Sequence, residues 1–441
     1  MYSRTVKAQI RTFWPAQQDS GLLTDLYIDL ERQYKQDVDH LPSLNNKDYA
    51  DLYAERWKNI KEKFDHREIY TAPAAQEYLN AIVDEIVKAN PLLKGRSFHC
   101  YFSRSYTPNA AYIGEGIILF DMGLFCQLHN ESEAAFILCH EMAHYLLRHQ
   151  ENSMAGYVTT INSPEVQSRL RKIKGSEYNR NAQLATLEKG LSFDSRRHSR
   201  DHEAQADSMG VELMRHTGFD MHGALTTLQL LDGIDQNDFD TEAALRQTFD
   251  AKDYPFQQKW LHREAGLFAG HVEAPTAEMA DSLKTHPSCP MRMKLLMPMV
   301  QSGPDGRGYV VDSAKFAALK ETCRYEVIEY AYLSDEYTES LFRALQLLNE
   351  RPGDEYLVGH IGRLLNGLYA AEKKHRLGKV AVLPSPDQPA NYHLLLEFVQ
   401  NLHVEELAGI SYHFLKPWHP RLDGSPLFRS AYEESARIAQ Q

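Results

Sequence analysis

No stretch of this sequence reaches the roughly 18 consecutive uncharged apolar residues that a bilayer-crossing helix requires, so none is expected to span a membrane. Paired cysteines are missing too. The five cysteines, at positions 100, 126, 139, 289 and 323, are scattered, odd in number and never spaced C-x-x-C. Most sit among apolar neighbours, which suits buried thiols better than a disulfide framework. Cationic surplus is also absent: 48 Lys and Arg stand against 60 Asp and Glu, for a net charge of −12. Binding to nucleic acid or anionic lipid through a general positive field is therefore not expected. The N-terminal stretch MYSRTVKAQIRTFWPAQQDS holds no apolar signal-peptide core. A soluble chain is expected, periplasmic if a signal has been removed ahead of Met1 and cytoplasmic otherwise. What is present is ordinary for a globular protein: 441 residues, 43% hydrophobic and 24% charged, enough for two or three domains.

One run stands out from that background. His140-Glu141-Met142-Ala143-His144 is an H-E-x-x-H motif inside the amphipathic stretch Glu131–His149. Positions four apart share a helix face, so both imidazoles can grip one metal ion. Glu141 sits at the edge of that face, within reach of water beside the metal. Zinc with open positions next to a carboxylate base is the equipment for hydrolysing a peptide bond. The same triplet also arises by chance, with two histidines merely hydrogen-bonded in a buried helix, so a third ligand matters. His149 is a poor one. The H-E-x-x-H-x-x-G-x-x-H pattern fails at Leu147 and Gln150, and His149 reads as a helix-end histidine suited to the C-terminal dipole. Glu203 is the better candidate, a carboxylate that would complete a His₂Glu site. Asp207, one turn on, is placed to brace a ligand histidine or an arginine, while His202 lies off that face. Taken alone, Glu203 and Asp207 also fit an ordinary solvated acidic face. Cys139 reads as an inert buried thiol.

H-E-x-x-H followed by this E-x-x-x-D resembles the HtpX-like and CAAX-prenyl-protease zinc metallopeptidases, and three further stretches carry the likeness. Asn109–Phe125 (NAAYIGEGIILFDMGLF) is similar to the family's segment ahead of the motif, and Glu133–Leu138 to its lead-in. Thr285–Met293 (THPSCPMRM) contains the family's H-P-x-x-x-x-R. The likeness runs from about Ile69 to Val300. It departs at Ala143, where glycine is usual, and in lacking the membrane spans of many members. The resemblance implies one Zn²⁺ per chain, held by His140, His144 and Glu203, with Glu141 as general base. Asp207 and Arg292 would stand behind the ligands, Arg292 pairing with Asp207 or with substrate. It also implies His286 as a fourth ligand that would keep the enzyme latent; a hydrogen-bonded loop anchor is the alternative. Tyr112, Ile113, Gly114, Glu115 and Gly116 are expected to form an edge strand that takes an extended peptide by strand addition, unless the Gly-x-Gly is only a bulge. The expected activity is that of a zinc-dependent endopeptidase acting on peptide or protein substrates, unfolded ones included. The competing class is a non-enzymatic, chaperone-like interaction protein on a peptidase-like core. The presence of His140, Glu141, His144 and Glu203 together argues against it.

Helical periodicity dominates the remainder. The fold expected is α+β and mostly helical, a zincin-like core with a small β-sheet beside the motif helix, plus an α-helical C-terminal region. Residues 1–67 read as a helical arm broken at Leu41–Asn46, and 68–300 as the metallopeptidase domain. Within the latter, a helix is expected over 74–89 and β structure over Ser97–Ser103 and Ala111–Phe120. Residues 150–197 read as polar and helical, with a basic run from Arg169 to Arg180 that is a solvated surface or a lid. Residues 301–441 read as a C-terminal helical domain, with helices over Ser313–Tyr332, Glu336–Leu348 and Glu355–Glu372. Leu348–Asp354 resembles an inter-repeat turn of tetratricopeptide arrays, in degenerate form, and those helices would offer a surface to a protein partner.

Overall fold

The computed structural model describes residues 13, 15, 18–114, 116–174, 200–234, 238–261, 289–385 and 388–440. Helices dominate, and the described β structure is one small sheet of four strands, so the mostly helical α+β expectation holds. The chain divides into two compact units, one of Gln17–Gly233 with His286–Lys320, the other of Met1–Ala16, Ile234–Thr285 and Glu321–Gln441.

The first unit is built on the sheet. β1 (Ile69–Tyr70) runs antiparallel to β2 (His99–Ser103), β2 parallel to β4 (Ile117–Asp121), and β4 antiparallel to β3 (Ala110–Gly114). The segment Ala111–Phe120, which reads in the sequence as one β-rich piece, is therefore a hairpin. Gly116, at φ 73°, turns the chain, and its missing Cβ makes room for the Ser97 carbonyl. Ile113 is the extra residue of a bulge between Tyr112 and Gly114. β4 is buried along its whole length, which is why Ile117–Phe120 is an unbroken apolar run instead of an alternation. β3 is left at the edge.

Pleat parity sorts the side chains to the two faces. Ile117 and Leu119 of β4 join Ile69, Tyr101 and Ile113 in a cluster with Leu26, Leu30 and Ile60. Those last three come from two helices, Ser20–Asp39 and Asn46–Asp65, so the N-terminal segment is part of the core. Burial of each such side chain contributes about 1.5–3 kcal/mol. Asp19 caps the first of these helices by accepting from the Leu22 N–H at 3.0 Å. On the other parity Phe102, Phe120 and Phe125 pack edge to face. There the helix Pro73–Ala89 fixes itself to β2, with Gln76 Nε2 donating to the Cys100 carbonyl at 2.7 Å.

The second unit is helical. Its centre is Glu355–Lys373, whose Leu357, Ile361, Leu364, Leu365 and Leu368 are fully buried. Tyr337–Glu350, Val404–Leu415 and Pro426–Ala439 surround it. Gly359 lets the backbone at Phe428 approach to van der Waals contact, and Trp418 rests on Gly353.

Candidate metal centre

The H-E-x-x-H motif lies on the helix Glu131–Leu146. Asn130 caps it, its Oδ1 accepting from the N–H groups of Ser132 and Glu133 at 3.0 and 3.2 Å. Glu131 and Glu133 add negative charge where the helix dipole favours it. Every residue from Glu131 to Ala143 is buried, so this is a central helix and not the amphipathic one its sequence suggests. Glu131 is its anchor. Glu131 Oε1 accepts from Tyr78 Oη at 2.8 Å and from the Asp312 N–H at 2.7 Å. Oε2 accepts from the N–H groups of Val310 and Val311, both at 2.7 Å. The start of the motif helix is thereby tied to a neighbouring helix and to the chain beyond residue 309.

Arg148, at a left-handed φ of 54°, ends the run, and a new helix opens at His149. His149 is therefore not a helix-end histidine, as its place in the sequence suggests; it begins the next element. Its Nδ1 faces His144 Nδ1 at 3.0 Å, its Nε2 lies 3.2 Å from Gln205 Oε1, and His202 stacks on its ring. Burial pushes its pKa down to about 4.

Residues 200–215 form the second helix of the site. It crosses the motif helix closely, since a Cβ on Gly210 would stand 3.2 Å from the Cα and N of His140. That approach sets Glu203 opposite both motif histidines. His140 Nε2 lies 3.0 Å from His144 Nε2 and 3.6 Å from Glu203 Oε2, and His144 Nε2 lies 3.5 Å from Glu203 Oε1. Asp207, one turn along, meets His140 Nδ1 with Oδ1 at 3.0 Å. Arg292, on the helix Cys289–Gln301, grips Asp207 with two prongs: Nε to Oδ2 at 2.6 Å and Nη2 to Oδ1 at 2.7 Å. The same Nη2 reaches Glu203 Oε2 at 3.4 Å. Of the two partners open to Arg292 in the sequence, Asp207 is the one it meets.

The electrostatics follow from burial and pairing. Burial works to raise the Glu203 carboxyl, but the His144 hydrogen bond and the charges of His140 and Arg292 hold it well below the usual carboxylate range. Asp207 is held low in the same way, against burial, by Arg292 and His140. Burial alone would lower His140, and the Asp207 hydrogen bond together with the charges of Glu203, Asp207 and Glu141 outweighs it. Glu141 is pushed up by burial, with His140, His144 and the Tyr112 N–H opposing. That N–H donates to Glu141 Oε2 at 2.8 Å, tying the carboxylate to the edge strand.

His140, His144 and Glu203 thus offer one ligand atom each, all within 4.8 Å of one another. Their chemistry can be tested against a cation. Ligand atoms bonded tetrahedrally at about 2.0–2.1 Å stand about 3.3 Å apart; the two imidazole Nε2 atoms stand 3.0 Å apart, and Glu203 meets them with different oxygens, Oε2 at 3.6 Å from His140 and Oε1 at 3.5 Å from His144. Asp207 fixes the proton of a neutral His140 on Nδ1, which leaves the Nε2 lone pair aimed at His144 and Glu203. Two imidazoles and a carboxylate converging this way fit a divalent cation. His286 and Glu115 lie outside the described residues. Gly116 lies past the end of β3, its carbonyl accepting from the His99 N–H at 2.9 Å.

The sequence profile of peptidase family M48 matches residues 73–299, just over half of the chain and the span that holds all of these groups. The chain belongs to peptidase family M48. Membership makes it a metallopeptidase, and the convergent triad is where an M48 peptidase of this sequence can hold its metal. This M48 peptidase is also similar to the beta-barrel assembly-enhancing protease of Yersinia pestis, 27% identical over 176 residues, which are 36% of this chain and 33% of that protein. It spans about a third of that relative's length. No described helix is long and apolar enough to cross a membrane. Two groups beside the site leave no trace in the sequence pattern. One is Glu131. The other is Arg56, outside the family match, whose Nη2 donates to the Ile113 carbonyl at 2.7 Å across 57 positions of chain.

Proposed function

We propose that this M48 peptidase is a zinc-dependent endopeptidase of the HtpX-like kind, with one zinc per chain held by His140, His144 and Glu203. The observation that carries the reading is the convergence of those three ligand atoms beside a carboxylate, Glu141, that is itself tied to an edge strand. When bound, zinc supplies a Lewis acid that polarises the scissile carbonyl and makes water acidic enough to lose a proton. The chain's own residues do the rest. Asp207 orients His140, and Arg292 holds Asp207 and Glu203 in register with it. Glu141, with Oε2 restrained by the Tyr112 N–H, takes a proton from the attacking water and passes it to the leaving amine as the C–N bond breaks. An extended peptide or unfolded protein segment lies along β3, adding a strand at the edge near Tyr112. In this reading residues 68–300 hold the catalytic centre, and of the arm 1–67 the helices Ser20–Asp39 and Asn46–Asp65 pack on it. Of residues 301–441, the helices beyond Lys320 form a degenerate repeat array that holds a protein partner, and His286 closes the metal as a fourth ligand in a latent state.

The test is Glu141→Gln, with zinc measured by inductively coupled plasma mass spectrometry and hydrolysis by casein cleavage. Both proteins should hold about one zinc per chain while the variant loses roughly 10²–10⁴-fold in rate, the usual contribution of a general base. A chelator should abolish wild-type cleavage. Loss of zinc in the variant, or undiminished cleavage, refutes the role of Glu141. A wild-type protein without zinc and indifferent to chelation refutes the function.

A further inference from the structure

The edge of β3 is not open along its length. Ile113 is the bulge residue, unpaired with β4, and its carbonyl is taken by Arg56 Nη2 at 2.7 Å. Arg56 comes from the helix Asn46–Asp65, which packs beside the sheet. Its approach depends on Gly114, whose φ of 123° is rarely adopted by other residues and whose absent side chain leaves the space the guanidinium occupies. The guanidinium is held in place from behind. Asp37 Oδ2 stands 4.0 Å from Nη1, and the other oxygen, Oδ1, accepts from Gln33 Nε2, while Tyr34 and Trp57 stack to wall the same pocket. Arg56 Nε is buried and has no hydrogen-bond partner among the described residues, so the side chain is not positioned by full satisfaction of its own donors.

We propose that Arg56 is a specificity-determining residue that ends the peptide-pairing edge of β3 at Tyr112. The proposal rests on the reading that β3 docks the substrate. A strand laid on this edge reaches Tyr112, whose N–H is already given to Glu141 Oε2, and then meets a carbonyl already bonded to a cation. Main-chain pairing towards Gly114 would require Arg56 to leave. Substrate residues on that side of the scissile bond therefore bind without backbone hydrogen bonds, and the enzyme reads the main chain of its substrate on one side only. Covering an edge strand is a general defence against unwanted pairing; here the covered portion is contiguous with the portion that faces the candidate metal centre.

The test uses two series of internally quenched peptides, lengthened stepwise on either side of one cleavage site, with KM measured for the full-length enzyme. In the wild type KM should fall with length at one end only. Arg56→Met keeps the aliphatic stem and removes the donor, which frees the Ile113 carbonyl. Lengthening at the second end should then lower KM about three- to tenfold, the effect of one added main-chain hydrogen bond. Arg56→Lys, which can still donate to that carbonyl, should restore the one-ended response. Two-ended dependence in the wild type, or an unchanged one-ended response in a folded Arg56→Met, overturns the proposal; a purely structural Arg56 would move the melting temperature alone. If Arg56→Met does not fold, a crystal structure of Glu141→Gln with a bound peptide decides. Peptide main chain bonded to the Ile113 carbonyl overturns the proposal, and Arg56 still in place with the peptide leaving the sheet past Tyr112 supports it. Binding of the same peptides to Glu141→Gln, followed by fluorescence anisotropy, separates this question from catalysis. Binding without any wild-type cleavage sinks the peptidase reading while the length response still judges Arg56, and absence of both binding and cleavage sinks both.

Discussion

Replacing Glu131 by Gln keeps the shape of the side chain and changes what its oxygens can do. The carboxylate is fully buried and accepts four hydrogen bonds, from Tyr78 Oη and the N–H groups of Val310, Val311 and Asp312. In its best orientation the amide oxygen takes the place of Oε2 and keeps Val310 and Val311. The new NH₂ then faces Tyr78, whose hydroxyl can rotate to accept, and the Asp312 N–H, which cannot. One orphaned buried donor costs about 1–3 kcal/mol, and the bonds that remain fall from charge-assisted to neutral strength, a loss of about 1 kcal/mol each. Relief of the buried charge offsets part of this. The net expectation is a destabilisation of about 2–4 kcal/mol, a large fraction of the 5–15 kcal/mol typical of a folded domain. Tyr78→Phe removes one of the four bonds and should cost about 1 kcal/mol. The assay is urea denaturation followed by tryptophan fluorescence and far-UV circular dichroism, comparing the transition of the sheet-bearing unit. A shift below about 1 kcal/mol for Glu131→Gln, or a larger one for Tyr78→Phe, would refute the view that this carboxylate anchors the motif helix.

Three further outcomes are expected. Asp207→Ala should weaken zinc binding about 10–100-fold in competition with a chromophoric chelator, because His140 loses the acceptor that fixes its tautomer; unchanged affinity would remove Asp207 from the site. Asp121 is raised by burial to about 7 from its ordinary 3.8, so the native state holds its proton more tightly than the unfolded chain. Its contribution is then intact below pH 4 and lost as pH rises through 7, and the stability of Asp121→Asn relative to wild type should improve across that window, by up to roughly 4 kcal/mol; a flat difference between pH 4 and 8 would contradict it. His286→Ala should raise basal casein cleavage and self-cleavage if His286 closes the metal, and lower or unchanged activity would retire the latch.

The helices legible in the sequence are those whose signals are local. Pro73 at the start and Asn90-Pro91 at the end bracket Pro73–Ala89, and the spacing of Leu357, Ile361, Leu364 and Leu368 marks the buried stripe of Glu355–Lys373. The hairpin is hidden for a physical reason. β4 is buried on both faces, so it lacks the alternation that would separate it from β3, and the turn sits inside a Gly-x-Gly that also fits a bulge. Both features are present in the folded chain. At the site, a four-residue spacing suffices to pair His140 with His144 and Glu203 with Asp207, because a helix makes that spacing a face. Which partner Arg292 chooses is decided only by the packing of its helix against residues 200–215, and the sequence leaves it open. Arg56 and Glu131 are beyond any pattern. Their bonds join residues 57 and up to 181 positions apart, and nothing nearby registers the contact.

The clasp of Arg292 on Asp207 has a consequence for the timing of synthesis. His140 leaves the ribosome long before the arginine that steadies its partner, and at a translation speed of about 5–20 residues per second the interval is on the order of ten to thirty seconds. Val310–Asp312, which tether the start of the motif helix, emerge later still. During that interval a nascent chain carries both histidines of a hydrolytic centre without the arginine clasp that steadies Asp207 behind them. A protease assembled in this order completes its cutting edge only after nearly all of its own sheet-bearing unit, the part a premature centre would be nearest to attack, has been made.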